Sequence, residues 1–354
     1  MTRFAWLQSR TQTLIAAALL ATVAVAAAIT GVQLSHLYSS LVAHCSSGCD
    51  LAIGQFLSHD TFMQQALEIL ARAVPVLLGI FWGAPLLARE FESGTYRLAW
   101  TQGVTRPRWL LTKLAVGGLA TLTVAGVLTL TITWWYRAHD KLGTTAYAVF
   151  DRRDIAPVAY ALFAFASGAL IGAIARRTVP AMAATLGVFV FARVAMSAWI
   201  RPHLLTPIHE TLSLQGAGPD APVHLGLGFS NGGPLRVFAQ GDGPPNSWAL
   251  SSHLIDGAGH QVSSGQMAAF FHQHCPNVNL QPPPSPTGPG MVRGTAAGPG
   301  RACLAQVAET FRVLVTYQPA NRYWTFQWLE TGIFVALALA AVGACYWWVT
   351  RRTN

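Results

Sequence analysis

The chain has 354 residues, of which 52% are hydrophobic and only 10% are charged. Soluble proteins usually carry about 25% charged residues, and charges are scarce where a chain crosses hydrocarbon. The formal net charge is +9, but the basic residues lie at the ends of apolar stretches rather than in one patch, which argues against a nucleic-acid-binding protein. The composition therefore excludes an ordinary soluble domain and favours an integral membrane protein.

Six apolar stretches approach the ~20 residues that a membrane-spanning helix needs. In chain order they cover Leu14–Val32, Ile69–Ala88, Leu114–Tyr136, Ile155–Ala175, Val179–Ile200 and Thr331–Val349. Arg3 and Arg10 precede the first stretch, as in a cleaved signal peptide, but its apolar run is longer than the roughly 7–15 residues of a signal core. We therefore favour a retained helix and predict an all-α polytopic membrane protein with six transmembrane helices.

The placement of basic residues predicts the orientation of these helices, because Lys and Arg concentrate in short cytoplasmic segments. The loop from His36 to Leu70 contains no Lys or Arg, which is typical of the outer side. We therefore predict cytoplasmic N and C termini, with dense basic residues inside at Arg3, Arg10, Arg89, Arg97, Arg106, Arg108, Lys113, Arg176, Arg177, Arg351 and Arg352. One predicted outer loop disagrees, with Arg137, Lys141, Arg152 and Arg153 partly offset by Asp140, Asp151 and Asp154.

Three regions follow from this topology. Residues 1–200 hold helices one to five and a cytoplasmic segment at 89–113, residues 201–328 form a large extracytoplasmic insertion, and residues 329–354 form the sixth helix and a cytoplasmic tail. Two patches in the insertion, Val223–Phe229 and Leu235–Ala239, have a strand-like pattern. The Pro/Gly-rich tract 281–300 that follows cannot hold regular structure.

Four of the five cysteines, Cys45, Cys49, Cys275 and Cys303, fall in predicted outer loops. Oxidising compartments favour disulfides, and four cysteines allow three pairings. We predict Cys45–Cys49 and Cys275–Cys303, because each pair lies within one loop. These pairings would use the thiols that a zinc site with His272 and His274 needs, so we predict no metal site.

The segment after the second stretch is the most informative part of the sequence. The segment starts with charged residues, breaks at Gly94-Thr95 and has a basic residue, Lys113, where the chain re-enters the membrane. This pattern indicates a short amphipathic helix lying beneath a bilayer. It resembles the loop between the second and third helices of permeases of type-2 ATP-binding-cassette exporters. The family pattern E-x-E-x-G-T, a T-R pair and a lysine at re-entry has its counterparts here at Glu90, Glu92, Gly94, Thr95, Leu98, Val104, Thr105, Arg106 and Lys113.

The resemblance implies a partner and a mechanism. In that family two permeases pair with two cytoplasmic ATPase subunits, and the segment seats in a cleft of the ATPase, a helix-in-groove contact. The coupling residues would be Arg89, Glu90, Glu92, Gly94, Thr95, Arg97, Leu98, Thr105, Arg106 and Lys113, with Glu90 and Glu92 facing basic groups of the ATPase. We expect ATP–Mg on the partner, no cofactor in this chain, and export of an amphiphilic drug, lipid or peptide across a bacterial plasma membrane. The stretch Thr316–Glu330 looks like actinobacterial members.

Arg193 lies inside the fifth stretch, where an ionisable residue is a candidate functional site. Glu330 or Glu68 would be its partner, and Arg193 with Glu330 is our candidate gate or substrate site. Gly168 and Gly172 permit close helix contact, either within the chain or with a second copy. No catalytic motif is present, so an enzyme is disfavoured. The main alternative is a membrane sensor whose outer domain binds a ligand.

Overall fold

A computed structural model describes residues 2–45, 49–95, 105–142, 146–214, 223–229, 235–241, 243–244, 246–274 and 306–352. It divides into two compact units. The membrane unit comprises Met1–Leu204 and Tyr323–Asn354, and the insertion unit comprises Leu205–Arg322. We predicted the insertion at 201–328. The insertion unit of the structure is a few residues shorter at each end, and those residues belong to the membrane unit.

Within the described residues the protein has six helical spans that are long and apolar enough to cross a membrane, as the sequence predicted. Numbered first to sixth, they are Leu14–Val42, Thr61–Ser93, Arg106–Asp140, Ala146–Ala175, Thr178–His203 and Ala320–Arg351. Several exceed the apolar stretches seen in the sequence, because polar turns at their ends continue the helices. The chain is therefore a multi-pass membrane protein.

The helices that build these spans follow in chain order. The first span belongs to α1 (Thr2–Leu37) with a π turn at Tyr38–Val42, and α2 (Asp50–His59) follows it. The second is α3 (Thr61–Leu78), a π turn (Gly79–Gly83) and α4 (Ala84–Ser93), and the third is α5 (Arg106–Asp140). A 3₁₀ turn (Ala146–Arg152) leads into α6 (Ala156–Ala175). The fifth is α7 (Thr178–Ala195), a π turn (Met196–Ile200) and α8 (Arg201–His203).

The insertion unit carries the strands. Strands β1 (Ile208–Ser213), β4 (Trp248–Ile255) and β5 (Arg312–Gln318) form an antiparallel sheet in the order β1-β5-β4, and β2 (Val223–Phe229) pairs with β3 (Leu235–Gly241). Helix α9 (Ser264–His274) buries Met267 and Phe271 against the sheet core. Strands β2 and β3 lie where the sequence showed strand-like patches. The chain is thus mostly helical with a strand-containing domain, and the all-α description was wrong for this unit. A last helix, α10 (Tyr323–Arg352), forms the sixth span.

Helix α6 is the centre of the membrane unit. In its most apolar window 67% of the residues are buried, against 11–33% in the other spans. Gly168 and Gly172 face the second span so closely that an added Cβ would lie 2.6 Å from the Gly79 carbonyl oxygen and 2.3 Å from that of Ala84. Small residues permit this approach of two backbones. The G-x-x-x-G pair therefore packs two spans of one chain and is not available as a seam with a second copy.

A π turn interrupts the second span beside this contact. This turn, Gly79–Gly83, lies between Pro75, inside α3, and Pro85, at the start of α4. A proline has no backbone N–H to donate, and a wide turn beside it absorbs the interruption. The two prolines therefore explain why the regular helix is interrupted at this point of the span.

Cys45 and Cys49 are joined by a disulfide in the structure. Cys275, Cys303 and the 281–300 tract lie outside the described residues, so the second disulfide remains a prediction. The fifth cysteine, Cys345, is a buried free thiol in the sixth span.

Because α6 contacts the second span so closely, we expect one added methyl group at this contact to destabilise the protein. We expect Gly172→Ala to lower the unfolding free energy by about 1–3 kcal/mol, because the new methyl group overlaps the Ala84 backbone. The matched control is Gly187→Ala in the fifth span, where a Cβ meets no atom within 4 Å. Thermal unfolding in detergent measures both variants. Equal melting temperatures would contradict the packing described.

Candidate functional sites at the two ends of the spans

Five polar side chains from three spans meet near the start of the fourth span, and we call Asp151, Tyr160, Arg193, Arg201 and Glu330 the charge cluster. Glu330 is fully buried and lies at its centre. Its Oε1 accepts hydrogen bonds from Arg193 Nη1 at 3.0 Å, Arg201 Nη2 at 2.9 Å and the Tyr160 hydroxyl at 2.5 Å. Its Oε2 accepts from Arg201 Nε at 2.7 Å. The carboxylate thus joins the fourth, fifth and sixth spans.

Asp151 completes the charge balance of the cluster. It pairs with Arg201 and lies 3.2 Å from Arg193 Nη2, so two guanidinium groups face two carboxylates. The Arg193 guanidinium also lies 3.7 Å from the centre of the Tyr160 ring, within cation–π range. Because the charges balance, the cluster acts as an interhelical tie and has no excess charge with which to attract an ion.

The fifth span can present Arg193 and Arg201 to the same carboxylate because of its π turn. The two residues are eight positions apart, which at about 100° per residue would turn them about 80° away from each other in a regular α-helix. The π turn Met196–Ile200 lies between them and accommodates one extra residue in a single turn. Seven regular steps then separate the pair, and these return to within about 20° of the starting face.

The four residues Asp151–Asp154, here called the DRRD segment, extend this pairing to the second, third and sixth spans. Arg152 Nη1 lies 2.7 Å from Glu68 Oε1 in the second span, and Arg153 Nη1 lies 2.6 Å from Asp140 Oδ1 in the third. Asp154 Oδ2 accepts a hydrogen bond from the Tyr323 hydroxyl of the sixth span. Since Asp151 binds the arginines of the fifth span, four successive charges each contact a different span.

The sequence had named Arg193 and Glu330, and the structure brings them together. Glu68, the other partner considered for Arg193, pairs with Arg152 instead. Sequence reasoning missed Arg201, because the fifth stretch was ended at Ile200, and it read Asp151 as part of a loop. The signal available was the run of four charges directly before an apolar stretch.

At the opposite end of the spans, the second span ends where the third and fifth spans begin. We give the name segment base to four residues at this point, Glu90, Glu92, Lys113 and Thr178. Glu90 forms an ion pair with Lys113, and both side chains are mostly buried. Glu92 Oε2 accepts two hydrogen bonds from Thr178, from the backbone N at 3.0 Å and from Oγ1 at 2.7 Å. A carboxylate is favoured there because a helix N-terminus carries partial positive charge. The two glutamates therefore tie α4 to the third and fifth spans.

The rest of segment 89–113 is described only at its two ends. Gly94 ends α4 with φ of +71°, a left-handed conformation that glycine adopts without strain, so the break expected at Gly94-Thr95 is present. Arg89 and Thr95 are exposed beside it, while Thr105 and Arg106 mark the start of α5. Arg97 and Leu98 lie outside the described residues. We expected Glu90 and Glu92 to face basic groups of an ATPase. In the structure both carboxylates bind partners within the chain.

Comparison with known proteins gives one family. The family model described as ABC-2 membrane transporter related matches residues 17–201, just over half of the chain. The chain belongs to this family. Members of the ABC-2-related family are typically non-catalytic membrane subunits. No curated protein and no solved structure matches the chain, and the family match does not support an actinobacterial origin.

The charge cluster predicts a specific effect of neutralising Glu330. Glu330→Gln keeps the size of the side chain but leaves two guanidinium groups with only Asp151 as a carboxylate partner. Breaking a buried ion pair on one side costs about 3–5 kcal/mol, so we expect a clearly lower melting temperature in detergent. Glu309→Gln, at an exposed carboxylate of the insertion unit, is the control and should have no effect. A Glu330→Gln variant as stable as the wild type would contradict the role given to this cluster.

Proposed function

We propose that the protein is the membrane-spanning permease subunit of an ATP-driven exporter in a bacterial plasma membrane. The observation that carries this proposal is the family match over residues 17–201, which includes the whole of segment 89–113. ATP–Mg binds to a separate ATPase subunit, and two copies of each subunit form the complex. The work of this chain is to bind the ATPase, to change conformation and to offer a path for substrate.

The segment base supports a docking role for segment 89–113. The Glu90–Lys113 pair holds the end of the second span to the third span, so the two ends of the segment are kept together. Helix-in-groove docking benefits from a preorganised segment, because less conformational freedom is lost on binding. In this arrangement the two glutamates hold the segment in place, and we expect Arg97 to pair with acidic groups of the ATPase.

The count of basic residues supports the orientation proposed from the sequence. Arg137, Lys141, Arg152 and Arg153 lie in one predicted outer loop, whereas the eleven Lys and Arg residues named for the cytoplasmic side lie in short segments at the other ends of the spans. The larger number favours segment 89–113 on the cytoplasmic side. The insertion unit then faces outward, where its cysteines meet oxidising conditions.

The substrate class proposed is an amphiphilic drug, lipid or peptide. Apolar residues dominate the exposed surface of the described spans, and the charge cluster is neutral in sum. A path beside such surfaces suits a molecule with a large apolar part rather than a small ion.

Co-purification tests the proposed function. The tagged chain, taken from its native membrane in mild detergent, should bring a stoichiometric protein with a G-x-x-x-x-G-K-[ST] phosphate loop and vanadate-sensitive ATP hydrolysis. Charge reversal by Arg97→Glu should reduce the amount of ATPase recovered, since interface charges set orientation and association rate. Arg312→Glu, an exposed reversal in the insertion unit, is the control. A chain that purifies without any ATPase would favour the sensor alternative.

Thiol labelling tests the orientation. In a background of Cys275→Ser and Cys303→Ser, a membrane-impermeant maleimide should label Gly265→Cys in intact cells, because this position of α9 is exposed with no atom within 4 Å of a Cβ. Arg351→Cys, exposed at the end of α10, should react only after the cells are permeabilised. The reverse pattern would place segment 89–113 outside and would exclude docking to a cytoplasmic ATPase.

A further inference from the structure

The fifth span is held by polar contacts at both of its ends, and between them Ala181 packs against Ala84 and Ala88 of the second span. Its first residue, Thr178, bonds to Glu92, and its arginines Arg193 and Arg201 bond to the charge cluster. Between these points one face is exposed, with Val179 76% and Phe191 70% accessible. One helical span is therefore bonded to the segment base at one end and to the charge cluster at the other.

The contact between the fifth span and the segment base involves a residue of the proposed docking segment itself. Glu92 belongs to segment 89–113 and lies two residues before Gly94, where α4 ends. Glu90, two residues before Glu92, is paired with Lys113 of the third span. The hydrogen bonds of Glu92 with Thr178 thus connect α4 to the fifth span.

The attachment at the other end is shared with two further spans. Glu330 of the sixth span and Asp151 of the fourth span both hold Arg193 and Arg201. A shift of the fifth span along its axis would move both arginines relative to both carboxylates. The cluster would then have to exchange partners, which changes how three spans meet at this end.

We propose that the fifth span transmits movement of segment 89–113 to the charge cluster, and that Glu92 and Thr178 are the positioning residues that connect the two. This proposal rests on the proposed function, because it assumes that an ATPase moves the segment. It adds the route inside the permease, from the Glu92 carboxylate through α7 to Arg193 and Arg201. The third span, tied by Glu90, serves to anchor the segment.

A proline at position 178 removes this connection with little disturbance of the helix. Thr178 is the first residue of α7, a position where proline is favoured, and Arg177 before it has φ −135° and ψ 131°, the extended conformation that proline requires of its neighbour. Thr178→Pro removes both donors to Glu92, the backbone N–H and Oγ1. Thr178→Ser keeps both donors and is the matched control.

The experiment uses the permease–ATPase complex in lipid nanodiscs. Spin labels at Trp199→Cys in the fifth span and Trp324→Cys in the sixth, both exposed positions, report the distance between these spans near the cluster. The background carries Cys275→Ser and Cys303→Ser. We expect vanadate trapping with ATP to shift the distance distribution in the wild type and in Thr178→Ser. In Thr178→Pro we expect ATP hydrolysis to continue and the shift to be lost.

A second pair of variants keeps the test decisive if Thr178→Pro does not fold. Glu92→Ala should also lose the shift, and Glu92→Gln, which retains an acceptor oxygen, should keep part of it. A full shift in Thr178→Pro or in Glu92→Ala would overturn the proposal while leaving the proposed function intact. Absence of an ATPase, or of any shift in the wild type, would contradict the proposed function itself.

Discussion

A charged side chain inside hydrocarbon needs an opposite charge within reach, and this constraint sets the arrangement of the membrane unit. The DRRD segment places two carboxylates and two guanidinium groups at the start of the most buried span. Each contacts a different neighbouring span, so only an arrangement that presents all four partners together leaves no charge unpaired. Apolar contacts between helices in lipid are poorly directional, because lipid tails are as apolar as the side chains they replace. The ion pairs therefore supply the register that packing alone would leave open.

The small residues of α6 supply the second part of this arrangement. Gly168 and Gly172 bring α6 against the backbone of the second span, and the DRRD segment is directly continuous with α6. Close packing fixes the distance between these two spans, while Arg152 and Glu68 fix their relative height. The two kinds of contact act on the same pair of spans, so neither has to define the geometry alone.

The sequence predicted what depends on local pattern and missed what depends on contacts between distant residues. Six spans and the strands β2 and β3 follow from hydropathy and alternation, which act within a window of neighbouring residues. The start of α10 was placed too late, because Gln327 and Glu330 reduce its hydropathy although both are fully buried. Gln327 is satisfied by Ala156 N at 3.0 Å and by the Phe150 carbonyl at 3.1 Å, partners that no local pattern reveals. The partners of the DRRD charges were hidden for the same reason.

The two carboxylates of the charge cluster differ in their access to water, and this difference decides how the cluster can rearrange. The Glu330 side chain is fully buried, whereas that of Asp151 is 34% exposed. Unpairing Glu330 would leave a charge in a low-dielectric site, which costs several kcal/mol, while water can replace the partners of Asp151 at smaller cost. In the rearrangement proposed above, the contacts of Asp151 are therefore the ones that open at least cost. Glu330 meanwhile keeps its bonds to both arginines and to the Tyr160 hydroxyl, so the fourth, fifth and sixth spans stay joined through this one carboxylate.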